Sequence, residues 1–126
     1  MELIQQSETL ELVHENGNWL LSRTAGFSPV QMVAAAAAAC STYVLEELIG
    51  RDQIPCRLVR VLFDYLEDPA YPHPVSQINV LFYLQTDEKL HGEIRKAFLE
   101  IPQNCPVIQS LHPRIQVNES IIFVAA

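Results

Sequence analysis

From Met32 to Leu45 the chain carries no charged residue, and six consecutive alanines, Ala34–Ala39, lie inside that stretch. Ser28-Pro29 stands just ahead of it. Serine suits a helix N-cap, and proline is tolerated at the first helical position, where its missing N–H has no partner to lose. The pattern therefore predicts one helix running from Ser28-Pro29 to Ile49, with Gly50 as its C-cap. A helix that is apolar all round has to be buried on most sides, and a run of alanines lets other backbones come close. Glu46, Glu47, Arg51 and Asp52 mark where the helix should emerge into solvent. The uncharged stretch, interrupted by Ser41 and Thr42, falls short of the roughly 20 apolar residues that span a bilayer. The chain is therefore not expected to be a membrane protein or to have a membrane partner.

Burying such a helix needs cover from the rest of the chain, and 126 residues supply only a modest core. They are expected to form a single domain over residues 1–126. Hydrophobic residues make up 49% of the sequence, charged residues only 18%, and mean hydropathy is +0.12. That excess of apolar surface predicts a second copy as part of the cover. Eight Lys and Arg against fifteen Asp and Glu give a net charge of −7, which argues against nucleic acid as a partner. The opening Met-Glu-Leu-Ile-Gln-Gln-Ser-Glu has no basic start and no apolar signal core, so a cytoplasmic location is expected.

Flanking the helix, the sequence alternates as strands do. Thr9–His14 and Trp19–Arg23, separated by Asn16-Gly17-Asn18, read as part of a meander over residues 2–24. Leu58–Leu66 and Val75–Leu84 read as a strand pair, joined by a loop whose Pro69, Pro72 and Pro74 exclude a strand interior. Asp87 is placed to cap a helix reaching Glu100 and stopped by Pro102. A short helix beginning at Asn104 or Cys105 and ending before Pro113, then a strand over Arg114–Val124, complete an α+β order.

Candidate chemistry rests on the cysteines. There are three, Cys40, Cys56 and Cys105, with no close pair of the kind a zinc site uses, and neither a metal nor a cofactor is expected. Cys56, after Pro55 at a strand entry, reads as structural. Cys40 sits in the middle of the buried helix. Cys105, before Pro106 at a helix start, lies where unpaired N–H groups and the helix dipole favour a thiolate. No GxSxG surrounds Ser41, and the scattered glycines form no phosphate cradle.

The stretch Ser28-Pro29-Val30-Gln31-Met32-Val33 leading to Cys40-Ser41, together with Asn104-Cys105-Pro106-Val107, resembles the family of osmotically inducible protein C and organic hydroperoxide resistance protein (OsmC/Ohr). The similarity covers roughly residues 18–124. It implies an OsmC-like fold, with antiparallel sheets wrapped around a long buried central helix in an intertwined homodimer. It also implies reduction of organic hydroperoxides: the residue matching Cys40 attacks the peroxide, the one matching Cys105 resolves it, and an external dithiol of lipoyl or thioredoxin type restores both. Active members carry a Glu just after the helix-start Pro, where this chain has Val30. They also use an Arg from an N-terminal strand, and Arg23 is the sole Arg or Lys before Cys40. A peroxidase-inactive dimer that binds a small apolar or thiol-reactive ligand is the alternative expectation.

Overall fold

The computed structural model describes residues 1–6 and 8–125 and divides into two compact units, Met1–Val33 and Ala34–Ala126. In the first unit, β1 (Leu3–Gln6), β2 (Thr9–Leu12) and β3 (Trp19–Leu20) form an antiparallel sheet in that order. The Asn-Gly step does lie between β2 and β3, and Gly17 supplies the turn's positive φ of 117°. The connection is longer than a two-residue hairpin because the His14 N–H donates to Asn18 Oδ1 and the Asn16 N–H to His14 Nδ1, closing a wider loop.

Helix α1 spans Pro29–Arg51. Its start is a capping box: the Gln31 N–H donates to Ser28 Oγ at 3.1 Å, and the Ser28 N–H donates to Gln31 Oε1 at 2.9 Å. Pro29 takes the first helical position, as the sequence predicts. The end differs from the expected Gly50 cap. The left-handed residue is Gln53, with φ 54°; its N–H bonds the Gly50 carbonyl, and the Ile54 N–H reaches back to that of Ile49. This is a Schellman motif with Gln53 at the position glycine usually takes, and Ile54 and Ile49 both join the core below it.

With 23 residues, α1 is long and apolar enough to cross a membrane by length and composition alone, which corrects the estimate drawn from the uncharged stretch. Eight of its residues, from Ala34 to Ile49, are buried. All of these but Ser41 share one hydrophobic core with the second sheet, as in the core helix of a globular fold.

That sheet holds β4 (Arg57–Glu67), β5 (Val75–Gln85) and β6 (Gln116–Phe123), with β5 in the middle. Ile78, Val80, Phe82 and Leu84 alternate inward along β5 at no more than 1% exposure. Strand β6 runs parallel to β5, so this sheet is mixed where wholly antiparallel sheets were expected. The reason is the connection: a parallel neighbour needs a long crossover, and residues 86–115 provide it. Asp87 caps a single 3₁₀ turn, Glu88–Leu90, by accepting from the Lys89 N–H. Helix α2 (His91–Phe98) then buries Ile94 and Ala97. Pro102 does not end a helix but sits in the first turn of α3 (Ile101–Asn104), and α4 (Pro106–Ser110) follows directly.

The strained cap at Gln53 carries a prediction. Left-handed backbone costs a non-glycine residue about 1 kcal/mol, so Gln53→Gly is expected to stabilise the chain by about that much. An unchanged or lower midpoint in urea denaturation would refute it.

Candidate functional site

Two of the three predicted site residues come together. Cys105 is the single residue between α3 and α4, held extended (φ −99°, ψ 107°) because Pro106 excludes the helical conformation for the residue before it. It is fully buried. Cys40 lies at the flank of the buried face of α1, half-buried and packed against the core. The two side chains are close enough to interact, and both are free thiols.

Burial pushes the Cys105 thiol above its ordinary pKa, and the neighbouring Cys40 adds to the rise. The N–H groups of Ile108 and Val107, in the first turn of α4, pull in the opposite direction. The helix-start attraction foreseen from the sequence is therefore present, but burial outweighs it. No arginine or lysine is among the groups acting on this thiol.

The arginines of the second unit are engaged elsewhere. Arg51 Nε bonds Asp52 at 2.8 Å, and its Nη2 bonds Glu100 at 2.9 Å, joining the end of α1 to the start of α3. Arg57 donates to Gln85, and Arg60 lies over the Tyr83 ring at 5.1 Å. Arg95 covers Phe123, against which His91 stacks at 3.6 Å, and Arg114 donates to His112 Nδ1. Arg23 belongs to the first unit, in the turn between β3 and α1.

A further polar pair escaped the sequence reading. The parallel register sets Val117, Glu119, Ile121 and Phe123 beside Ile78, Val80, Phe82 and Leu84, so Glu119 occupies the core-facing row of β6. Ser41, next to Cys40 in the chain, is completely buried at the centre of the inner face of α1. Its hydroxyl stands by the Glu119 carboxyl without completing a hydrogen bond; Ser41 Oγ and Glu119 Oε2 are both buried with no partner among the described residues. Burial raises the pKa of Glu119 more than the Ser41 hydroxyl lowers it. The signal was a carboxylate breaking the apolar alternation of β6, hidden because Asn118 and Ser120 flank it and blur the face.

Set against known proteins, the sequence profile of the OsmC family, described as OsmC-like protein, matches residues 22–120. The chain belongs to the OsmC-like family. Solved structures agree in fold. A protein from Aquifex aeolicus superposes with a TM-score of 0.82 at 15% identity, covering 99% of this chain and 95% of that one. An OsmC-like protein from Mycoplasma pneumoniae gives 0.75 at 14% identity, covering 98% and 94%. The organic hydroperoxide resistance protein OhrB of Bacillus subtilis gives 0.63 at 15% identity, covering 96% of each. A comparison with curated protein sequences finds no match.

Within this OsmC-like chain, the position where the resemblance implies a Glu is Val30, and the adjacent Gln31 is occupied by the capping box with Ser28. Neither side chain brings a carboxylate to the thiols.

Glu119 gives a pH prediction. The unfolded chain ionises this carboxyl at lower pH than the folded chain does, so ionisation favours unfolding. Its contribution to stability is complete below the unfolded carboxylate range and is lost as pH rises through the raised folded value. Glu119→Gln should therefore gain stability relative to the parent as pH rises from about 4 to about 8. Urea midpoints across that range read the difference, and a gap that does not change with pH would contradict the assignment.

Proposed function

We propose that this OsmC-like protein reduces organic hydroperoxides through its two neighbouring thiols, Cys40 acting as the peroxidatic residue and Cys105 as the resolving one. The observation that carries this reading is the placement of a half-buried thiol on α1 beside a fully buried thiol at the α3–α4 junction, both reduced. The Cys40 thiolate attacks the terminal peroxide oxygen. The O–O bond breaks, Cys40 becomes a sulfenic acid, and the alkoxide takes up a proton to leave as an alcohol. Cys105 then attacks the sulfenic sulfur, forming the disulfide and releasing water, with the thiol proton passing to the departing hydroxide. An external dithiol of lipoyl or thioredoxin type reduces the disulfide and is itself oxidised.

Arg23 is the candidate cation for holding the Cys40 thiolate. The working assembly is a homodimer in the cytoplasm, in which a second copy covers apolar side chains that one copy leaves exposed, Tyr43 on α1 among them. Similarity in fold to an organic hydroperoxide resistance protein supports the substrate class. The second reading, a peroxidase-inactive dimer that binds a small apolar or thiol-reactive ligand, draws support from Val30 and from the absence of any arginine acting on Cys105.

Cumene hydroperoxide added to the reduced protein should consume two thiols per chain and form a Cys40–Cys105 disulfide. Cys105→Ser should stop at a trappable Cys40 sulfenic acid, and Cys40→Ser should abolish turnover. Thiols that stay reduced under excess peroxide would sink the enzyme reading.

Because burial raises the Cys105 thiol, resolution should accelerate as pH climbs above neutral, where more of it is thiolate. Stopped-flow measurement of disulfide formation from preformed sulfenic acid checks this, and a rate independent of pH would count against Cys105 as the attacking thiol.

A further inference from the structure

On the flank of α1 away from Cys40, the second unit carries an open-sided cavity of about 380 Å³. At 100° per residue, Thr42 and Ile49 on its wall lie roughly 160–180° around the helix from Cys40, so this space is separate from the thiol pair. Leu45, Ile49, Ile54, Leu58 and Leu84 make an apolar floor. Its size falls at the low end of small-molecule pockets, which run from about 300 to 1,000 Å³.

The polar groups on the wall point to one kind of ligand. Glu46, one turn from Thr42, presents an exposed carboxylate that no Lys, Arg or His pairs with among the described residues. Thr42 spends its hydroxyl proton on the Ala38 carbonyl at 2.8 Å, which leaves its oxygen lone pairs as acceptors. Cys56 is the one side-chain donor on the wall, and a weak one. Gly50 also lines the space, and an added Cβ there would meet nothing within 4 Å, so a longer side chain can be built at that position without a clash. An apolar floor under two acceptors, in a chain of net charge −7, complements a cation with a small hydrocarbon body.

We infer that this cavity is a binding site for a small hydrophobic ammonium compound, its hydrocarbon on the Leu45–Leu84 floor and its charged nitrogen between Glu46 and Thr42. The site does not depend on peroxide chemistry, and its test leaves Cys40 and Cys105 untouched.

Cys56, half-buried on the cavity wall, reports occupancy in the full chain: its alkylation by N-ethylmaleimide is followed by peptide mass spectrometry with hexylammonium, 1-hexanol or hexanoate present. Hexylammonium is expected to slow alkylation of Cys56 several-fold. It should bind about fivefold more tightly than hexanol, as an exposed ion pair allows, and hexanoate should give no protection. Glu46→Gln should erase the preference for the ammonium over the alcohol, and Gly50→Leu, which adds bulk to the lining, should weaken protection by every probe. Equal protection by all three probes would overturn the ligand class. Burial holds the Cys56 thiol above its ordinary pKa, so alkylation is followed at alkaline pH, where enough thiolate is present to react; protection unchanged by Gly50→Leu, or none from any probe, would overturn the site.

Discussion

A helix with a long uncharged stretch must find cover, and the core that α1 shares with the inward row of β5 is the packing on which the second unit depends. Ala34, Ala37, Ala38 and Ser41 present small side chains toward the inward row of Ile78, Val80, Phe82 and Leu84, and every one of these is essentially removed from water. Over this stretch small residues on one layer are matched by large ones on the other, as close packing of a core requires. The arrangement leaves little tolerance: a larger side chain at Ala37, which has no exposure at all, would force the layers apart, and overpacking of this kind costs about 1–3 kcal/mol. It also decides where chemistry can sit. Any reactive group on α1 that faces the sheet is desolvated, and one at the edge of that face, such as Cys40, stays partly accessible.

Much of this was legible in the sequence because the signals were local. Ser28-Pro29, the alanine run, the proline-rich loop and the alternation over Val75–Leu84 each name their element, and the order of elements follows. What was not legible depended on contacts between distant segments. The direction of β6 is set by where the crossover delivers it, which no periodicity in Gln116–Phe123 encodes. The cap at Gln53 uses a residue with no special liking for left-handed backbone, so Gly50 was the natural but mistaken choice.

The site shows the same division. Cys105 before a proline at a helix start could be read directly, and the structure confirms its place in the fold. The balance of forces on its thiol could not, since that requires knowing how thoroughly the 86–115 segment is packed. Glu119 was missed because two polar neighbours made the strand's inner face ambiguous; only its pairing with Val80 shows that it faces the core. Resemblance to the OsmC/Ohr family supplied the pairing of Cys40 with Cys105, which local reading left open.

The crossover that makes β6 parallel has a consequence for assembly. Cys105 travels within it, far along the chain from Cys40, and reaches its neighbour only when residues 86–115 have folded back over the sheet. Contacts between such distant segments form slowly, because the loop must close before they bring any return. A nascent chain would thus carry Cys40 while its companion was still unplaced. The neighbouring of the two thiols is in this sense a seal on the completed tertiary structure.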